Sequence, residues 1–235
     1  MDRIQVFLST VDVLALAVAS SVSVVSYQLV DAAFQKKHGV LSSAVVVAAI
    51  ALIFGIAQYS AGLLVNRCQG LRRLLMSDEF VEGTWIDISQ VIADIGREIA
   101  IVNIHYKDRQ FHVSGQTYST EDLQPIGAWE SIITKYDPGI LYYLYKETST
   151  RGAPAPVVGG GQLRFQRNPH GPVTYQASFF DPIHASSVAL GFGYKLIKSS
   201  DLKSIHVGDE GRKHVLARFL RTHLKAAKSA PAGKP

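Results

Sequence analysis

Polar and apolar positions change their spacing partway along this chain. From Val40 to Val65 there are 26 residues without a charge. As an α-helix at 1.5 Å per residue this run is about 39 Å long, more than the roughly 30 Å hydrocarbon core of a bilayer. Val13–Val30 is a second uncharged run, of 18 residues, about 27 Å as helix. Ile4–Thr10 extends it upstream past Asp12, and Ser20, Ser21, Ser23, Ser26 and Gln28 dilute it. A membrane helix accommodates serine because the hydroxyl bonds back to its own carbonyls. The connector Asp31–Gly39 is too short for a domain, so residues 1–66 are expected to form a transmembrane hairpin of two helices. Ala17-Val18-Ala19 has the form of a signal-peptide cleavage site. One positive charge, two aspartates and a broken apolar run precede it, and a second span follows, which disfavours that reading.

After the neck, residues 67–79, the period becomes two. Runs at Phe80–Ile88, Glu98–Tyr106, Phe111–Tyr118, Ile126–Thr134, Ile140–Glu147, Gln162–Arg167, Thr174–Phe180 and Gly191–Lys198 combine β-branched and aromatic residues with alternation. Lys107–Gln110 joins the second and third as a hairpin, and Asp137-Pro138-Gly139 and Asn168–Pro172 supply turn chemistry. About eight short strands in succession predict an antiparallel up-and-down, lipocalin-like β-barrel over residues 80–205, closed so that no edge is left. The Pro and Gly of Thr150–Gly161 are expected to forbid regular pairing and leave a long loop. Residues 206–228 predict a basic amphipathic helix, with Leu216, Phe219, Leu220 and Leu224 on one face. It suits an anionic membrane surface and equally suits packing on the barrel. Residues 229–235 read as a disordered tail.

Charge separates the same two parts. The chain has 24 Lys and Arg against 19 Asp and Glu, and only six of these charges fall within residues 1–66. Arg3, Arg67, Arg72 and Arg73 flank the spans against Lys36 and Lys37 in the connector. That bias favours a multi-pass membrane protein with a cytoplasmic C-terminal domain. Ala15, Ala19 and Ser23 in the first span, and Ala44 and Ala48 in the second, recur every four residues. This spacing lets helices approach closely in lipid, within one hairpin or between subunits. Gln58 invites an interhelical hydrogen bond of either kind.

No phosphate loop, dinucleotide fingerprint, zinc-protease motif or nucleophile elbow occurs, so neither an enzyme nor a cofactor is expected. His105 and His112 are expected to face each other across the hairpin without a third metal ligand. One cysteine, Cys68, excludes a disulfide framework, and a buried or interfacial thiol is its expected state. The barrel strands are instead rich in aromatics and cations, which suit base stacking and phosphate neutralisation. Tyr106, Trp129, Tyr143, Tyr145, Arg164, Tyr175 and Lys195 are the candidate ligand residues. Most barrel aromatics must be core or wall, and Trp85 is expected to plug one end. Alternation places Tyr143 and Tyr145 on one face and Tyr142 on the other, leaving open which is inside.

A two-helix hairpin followed by a barrel beginning Gly83-Thr84-Trp85 resembles the two-transmembrane β-barrel effectors of bacterial CBASS anti-phage systems. Tyr106–Tyr118 and Thr174–Asp181 resemble strands of those barrels. The basic C-terminal helix departs from them. The resemblance implies a receptor for a cyclic dinucleotide or cyclic oligonucleotide rather than DNA or RNA. It also implies homo-oligomerisation in the membrane on activation, contact with membrane lipids, membrane disruption and abortive infection. The alternative is a membrane-tethered barrel that binds a lipid or a protein partner.

Overall fold

The computed structural model describes residues 6–18, 20–21, 39–90, 98–108, 110–149, 157–166, 168–180 and 189–229. The chain divides into two compact units, Met1–Ser77 and Asp78–Pro235.

In the first unit, α1 (Val6–Val18) and α2 (Gly39–Arg67) are the apolar helices, and α3 (Gln69–Met76) forms the neck. Within α2, Val47–Arg67 is long and apolar enough to cross a membrane. Val47, Leu52, Ile56 and Leu64 are exposed along it, a surface that water disfavours and lipid does not. Ser20 and Ser21 return their hydroxyls to the Ala17 carbonyl at 2.9 and 2.8 Å. Gln58 donates to the Asp12 carboxylate at 3.1 Å, so its hydrogen bond joins α2 to α1 within this chain. Ala15 is buried and Ala48 is exposed. Ala19, Ser23, the side chain of Ala44 and the connector 31–38 lie outside the described residues.

Cys68 breaks α2 from α3 with an extended backbone (φ −98°, ψ 94°). Arg72 folds back to donate to the carbonyls of Val65 (2.6 Å) and Asn66 (2.8 Å). A guanidinium there satisfies orphan carbonyls and the negative end of the helix dipole. Arg72 is thereby buried as a cap, and Cys68 is exposed rather than buried.

The second unit is a closed barrel in which each strand pairs antiparallel with its sequence neighbours and β8 returns to β1. The strands are β1 (Gly83–Gln90), β2 (Glu98–Lys107), β3 (Gln110–Ser119), β4 (Pro125–Asp137), β5 (Ile140–Ser149), β6 (Val157–Phe165), β7 (Thr174–Phe180) and β8 (Ala189–Lys195). All eight expected strands are present. The expected loop over Thr150–Gly161 is corrected, because Val157–Gly161 pairs with β5. Gly159 and Gly161 lie beneath the rings of Tyr145 and Tyr143, whose atoms a Cβ would meet at 2.4 and 2.8 Å. Glycine weakens a lone strand, but here it makes room for a neighbour's ring.

The barrel is closed at the end where β1 begins. Trp85 is fully buried, packs on Phe165 and Tyr175 (centroids 5.4 and 5.1 Å), and donates its indole N–H to the Val81 carbonyl at 3.0 Å. It is the plug that the sequence suggests.

Two helices cover part of the outer wall: α4 (Ser199–Val207), most of which falls where the sequence predicts barrel, and α5 (Asp209–Ser229). Ile205, Val215, Leu216 and Leu220 pack on Ile86, Ile99, Ile101 and Tyr118. The apolar face of the basic helix is therefore spent on the barrel, one of its two expected uses. Arg218 pairs with Asp201 across the helices at 2.5 Å.

Candidate functional site

Interior positions of β1 to β7 converge on a small cavity of about 70 Å³. Eight strands leave an interior that side chains can fill, and here large rings fill it. Trp129 stacks on Tyr143 (5.7 Å, 16°) and meets Tyr145 at 5.8 Å. Gly115 lies beneath the Trp129 indole and Gly193 beneath the Tyr175 ring. Each ring occupies space over a glycine of an adjacent strand, which fits one bulky group per layer.

Three carboxylates, Asp87, Glu98 and Glu147, line the cavity, and no Lys or Arg does among the described residues. Asp87 is buried and rests over Gly191, where a Cβ would lie 2.6 Å from its Oδ1. Ser89 donates to Asp87 Oδ1 at 3.0 Å. Burial raises the Asp87 pKa above its ordinary 3.8, and hydrogen bonding from Tyr175 and Ser89 partly offsets this. Burial likewise raises the Tyr175 and Tyr143 hydroxyls, and the Asp87 charge adds to both shifts. The Tyr175 hydroxyl is buried and faces Asp87. It is close enough to the carboxylate for the pair to act on each other, which holds the Tyr175 pKa up and draws the Asp87 pKa down.

A second concavity lies on the outer wall where α4 and α5 meet β2 to β5. It is an open groove of about 390 Å³. Its polar groups include Asn103, Ser114, Gln116, Glu130, Lys146, His206 and Arg212. The Trp129 indole forms part of its floor through the gap at Gly115. Arg212 donates to Gln116 Oε1 at 3.0 Å and to the Ile205 carbonyl at 3.1 Å, so its guanidinium is held in place.

The seven candidate ligand residues are not brought to one place. Trp129, Tyr143, Tyr145 and Tyr175 share the interior cavity. Tyr106 is buried near the closed end, edge-on to Phe111 at 5.3 Å. Lys195 also lies at that end, donating to the Phe80 carbonyl at 2.9 Å and lying over the Trp85 ring at 5.2 Å. Arg164 is exposed on the outer face, so the structure does not place it with the interior aromatics. His105 and His112 do stack, at 5.3 Å. Among the described residues no cluster of three His, Cys, Asp or Glu could hold a metal ion.

Sequence reasoning overlooked the interior carboxylates. Their signal was present: Asp87 is two residues from Trp85, so alternation sends both inward once Trp85 is the plug. The groove had no comparable signal, because it is assembled from four strands and two helices.

No protein-family model matches the chain, and no curated protein does. Among solved structures the chain is similar to the redesigned β-barrel mFAP1 bound to DFHBI, at 13% identity and a TM-score of 0.32 over 49% of this chain and 94% of that one. The related mFAP0 gives 15% identity and 0.34 over 49% and 98%. A barrel from the de novo design of transmembrane β-barrels gives 18% identity and 0.32 over 48% and 92%. This similarity carries no functional information.

Proposed function

We propose that this chain is a membrane-anchored, ligand-gated effector of the kind that serves CBASS anti-phage defence. A cyclic dinucleotide or oligonucleotide binds the cytoplasmic barrel. The N-terminal helices, as a two-helix hairpin in the inner membrane, then assemble with those of other copies, disrupt the membrane and kill the infected cell. The observation that carries this reading is the joining, in one chain, of an apolar helix of membrane-spanning length to a closed barrel with an open polar groove.

The ligand belongs in the groove rather than the barrel interior. An interior cavity of about 70 Å³ has no room for a ligand of nucleotide size, and no Lys or Arg among the described residues lines it. The groove, at about 390 Å³, falls in the range of roughly 300–1,000 Å³ usual for small-molecule sites. Lys146 and Arg212 can neutralise phosphate there, the Trp129 indole offers an apolar floor, and Asn103, Ser114 and Gln116 offer hydrogen bonds. Gating requires only that the ligand bind the assembled state better than the resting one.

Calorimetry of the full chain in detergent with a panel of cyclic dinucleotides and oligonucleotides tests this. At least one should bind with a Kd of about 10 μM or tighter, and Lys146→Glu should weaken it by about tenfold or more. Absence of binding across the panel would remove the receptor assignment.

A second reading, a membrane-tethered barrel that holds a protein partner, is favoured by a specific feature. Side chains take up most of the interior, while the outer wall left uncovered exposes Ile133, Tyr142, Leu144, Phe180, Leu190 and Phe192. Pairing of Ile133 with Leu144, Leu144 with Gly160 and Gly160 with Phe180 makes part of this surface continuous. Such a bare apolar wall commonly marks an interaction surface. The lipid alternative lacks support, because the interior has no space for an acyl chain.

A further inference from the structure

Five neighbouring strands, β4 to β8, turn an apolar face outward. Ile133, Leu144, Val158, Phe180, Leu190 and Phe192 are exposed on it, with Tyr142 beside them. The register makes these residues neighbours. Ile133, Leu144, Gly160 and Phe180 follow one another across four strands, and Tyr142, Gln162, Ser178 and Leu190 form the next row. Leu190 is diagonal to Phe180 and shares its strand face with Phe192. At about 4.8 Å between strands, the face spans about 19 Å. A shallow hollow of about 290 Å³ lies within it, lined by Tyr142, Gly161, Gln162, Ser178 and Phe180.

Area and charge say what covers this face. Half-exposed residues of this size present on the order of 100 Å² each, so the seven together present roughly 700 Å². The largest apolar patch of a monomer is usually about 300–600 Å², and a stable interface takes about 800 Å² from each partner. The face therefore has the area of one half of a dimer interface. Neither row contains a charge, and the border carries Lys135, Lys146 and Arg164 against Glu130 and Asp137. The chain as a whole has 24 Lys and Arg against 19 Asp and Glu, so two copies repel over much of their surface. Here the centre is uncharged and the border holds both signs, which lets the face meet itself, as a two-fold contact requires. An anionic membrane surface would call for cations alone on the border.

We propose that the outer wall of β4 to β8 is a two-fold contact between two copies of this chain, formed before any ligand binds. It rests on the reading that copies of this chain assemble, and it does not need the ligand assigned to the groove. The resting dimer covers the apolar wall, and the groove ligand then acts on dimers rather than on single chains. Glu130 and Lys146 belong both to the border of the wall and to the lining of the groove, so the contact adjoins the proposed ligand site.

The test is sedimentation velocity of the full chain in detergent, without nucleotide. The parent chain should sediment as a dimer with a Kd of about 10 μM or tighter. Leu144→Glu combined with Phe180→Glu, both at exposed positions, should weaken the dimer about tenfold or more, with the barrel's circular dichroism unchanged. Ala48→Glu, aimed at assembly through α2, should leave the dimer intact. A second measurement decides the matter should the wall variant fail to fold. Cys68→Ser removes the one native thiol. In that chain Gln162→Cys should give a disulfide-linked dimer in membranes on mild oxidation, and Lys107→Cys, at the β2–β3 turn, should not. A monomeric parent chain, a dimer that survives the wall substitutions, a dimer lost in Ala48→Glu, or no cross-link at Gln162→Cys would each overturn the assignment. A one-to-one complex with a different protein that the wall substitutions break would give the wall to that partner and also overturn it. Failure of every cyclic nucleotide to bind would remove the receptor assignment and not the dimer, whereas the sedimentation results bear on the dimer alone.

Discussion

At the residue scale, the barrel interior depends on pairing each large ring with a glycine. A Cβ at Gly193 would lie 2.0 Å from the Tyr175 ring, so Gly193→Ala forces the tyrosine or the strand to move. Overpacking of this kind typically costs about 1–3 kcal/mol. A chemical-denaturation midpoint lowered with an unchanged slope would be the expected result, and an unchanged midpoint would refute the packing account. Asp87 makes a different prediction. Its native pKa is raised above 3.8, so the folded state holds a proton that the unfolded chain releases at lower pH. Stability therefore falls as pH rises from 3.8 through the native value. Asp87→Asn keeps the shape without the charge, and its thermal midpoint should exceed that of the parent at pH 8, with the gap narrowing toward pH 4. A gap that widens toward acid would contradict the assignment.

At the element scale, α5 is a packing element. Leu216 is fully buried against the barrel wall, and Leu216→Ala should cost about 2–5 kcal/mol in urea unfolding. The helix pair is also pH-sensitive in the opposite sense from Asp87. Hydrogen bonding to Arg218 lowers the Asp201 pKa below 3.8. The stability it contributes is present above that value and is lost as pH falls through the lowered native pKa. Arg218 is half exposed and solvent screens the pair, so Arg218→Gln should flatten the acid limb of the stability curve only modestly. The element that the sequence concealed is α4. Ser199–Val207 is short and mostly polar, and only contact of Ile205 with the barrel core and of Asp201 with Arg218 marks it as a helix.

At the scale of the whole molecule, α2 presents Val47, Leu52, Ile56 and Leu64 outward, a surface that fits the membrane anchor proposed above. The chain should remain in the membrane fraction after alkaline carbonate extraction, and release into the soluble fraction would refute membrane insertion. Ala48 is exposed on the same helix. Placing a charge within a membrane helix costs a few kcal/mol. Ala48→Glu should therefore abolish toxicity in cells while leaving ligand affinity in detergent unchanged. Toxicity that survived would exclude assembly through this face of α2.

Much of the fold was legible because it rests on local relations. An uncharged run of 26 residues needs no knowledge of distant residues to be read as a long apolar helix, and strand alternation and turn residues marked all eight strands. Trp85 was legible as a plug because a large ring beside a glycine at a strand start has few other places to go. The candidate site was legible only as a composition. Tyr143 and Tyr145 were placed on one face by alternation, yet alternation does not say which face is inside. Closure of β8 onto β1 decided that, and with it the burial of Asp87 and the outward turn of Arg164. Lys195 reads as a phosphate ligand by type, and its position over Trp85 at the closed end makes it part of the plug. The sequence by itself determined the eight strands and the long apolar helix, their order and the division between an apolar and a charged part, because each depends on near neighbours along the chain. Only the tertiary structure decided where the charges point, because inside and outside exist only once distant strands have met and closed the barrel.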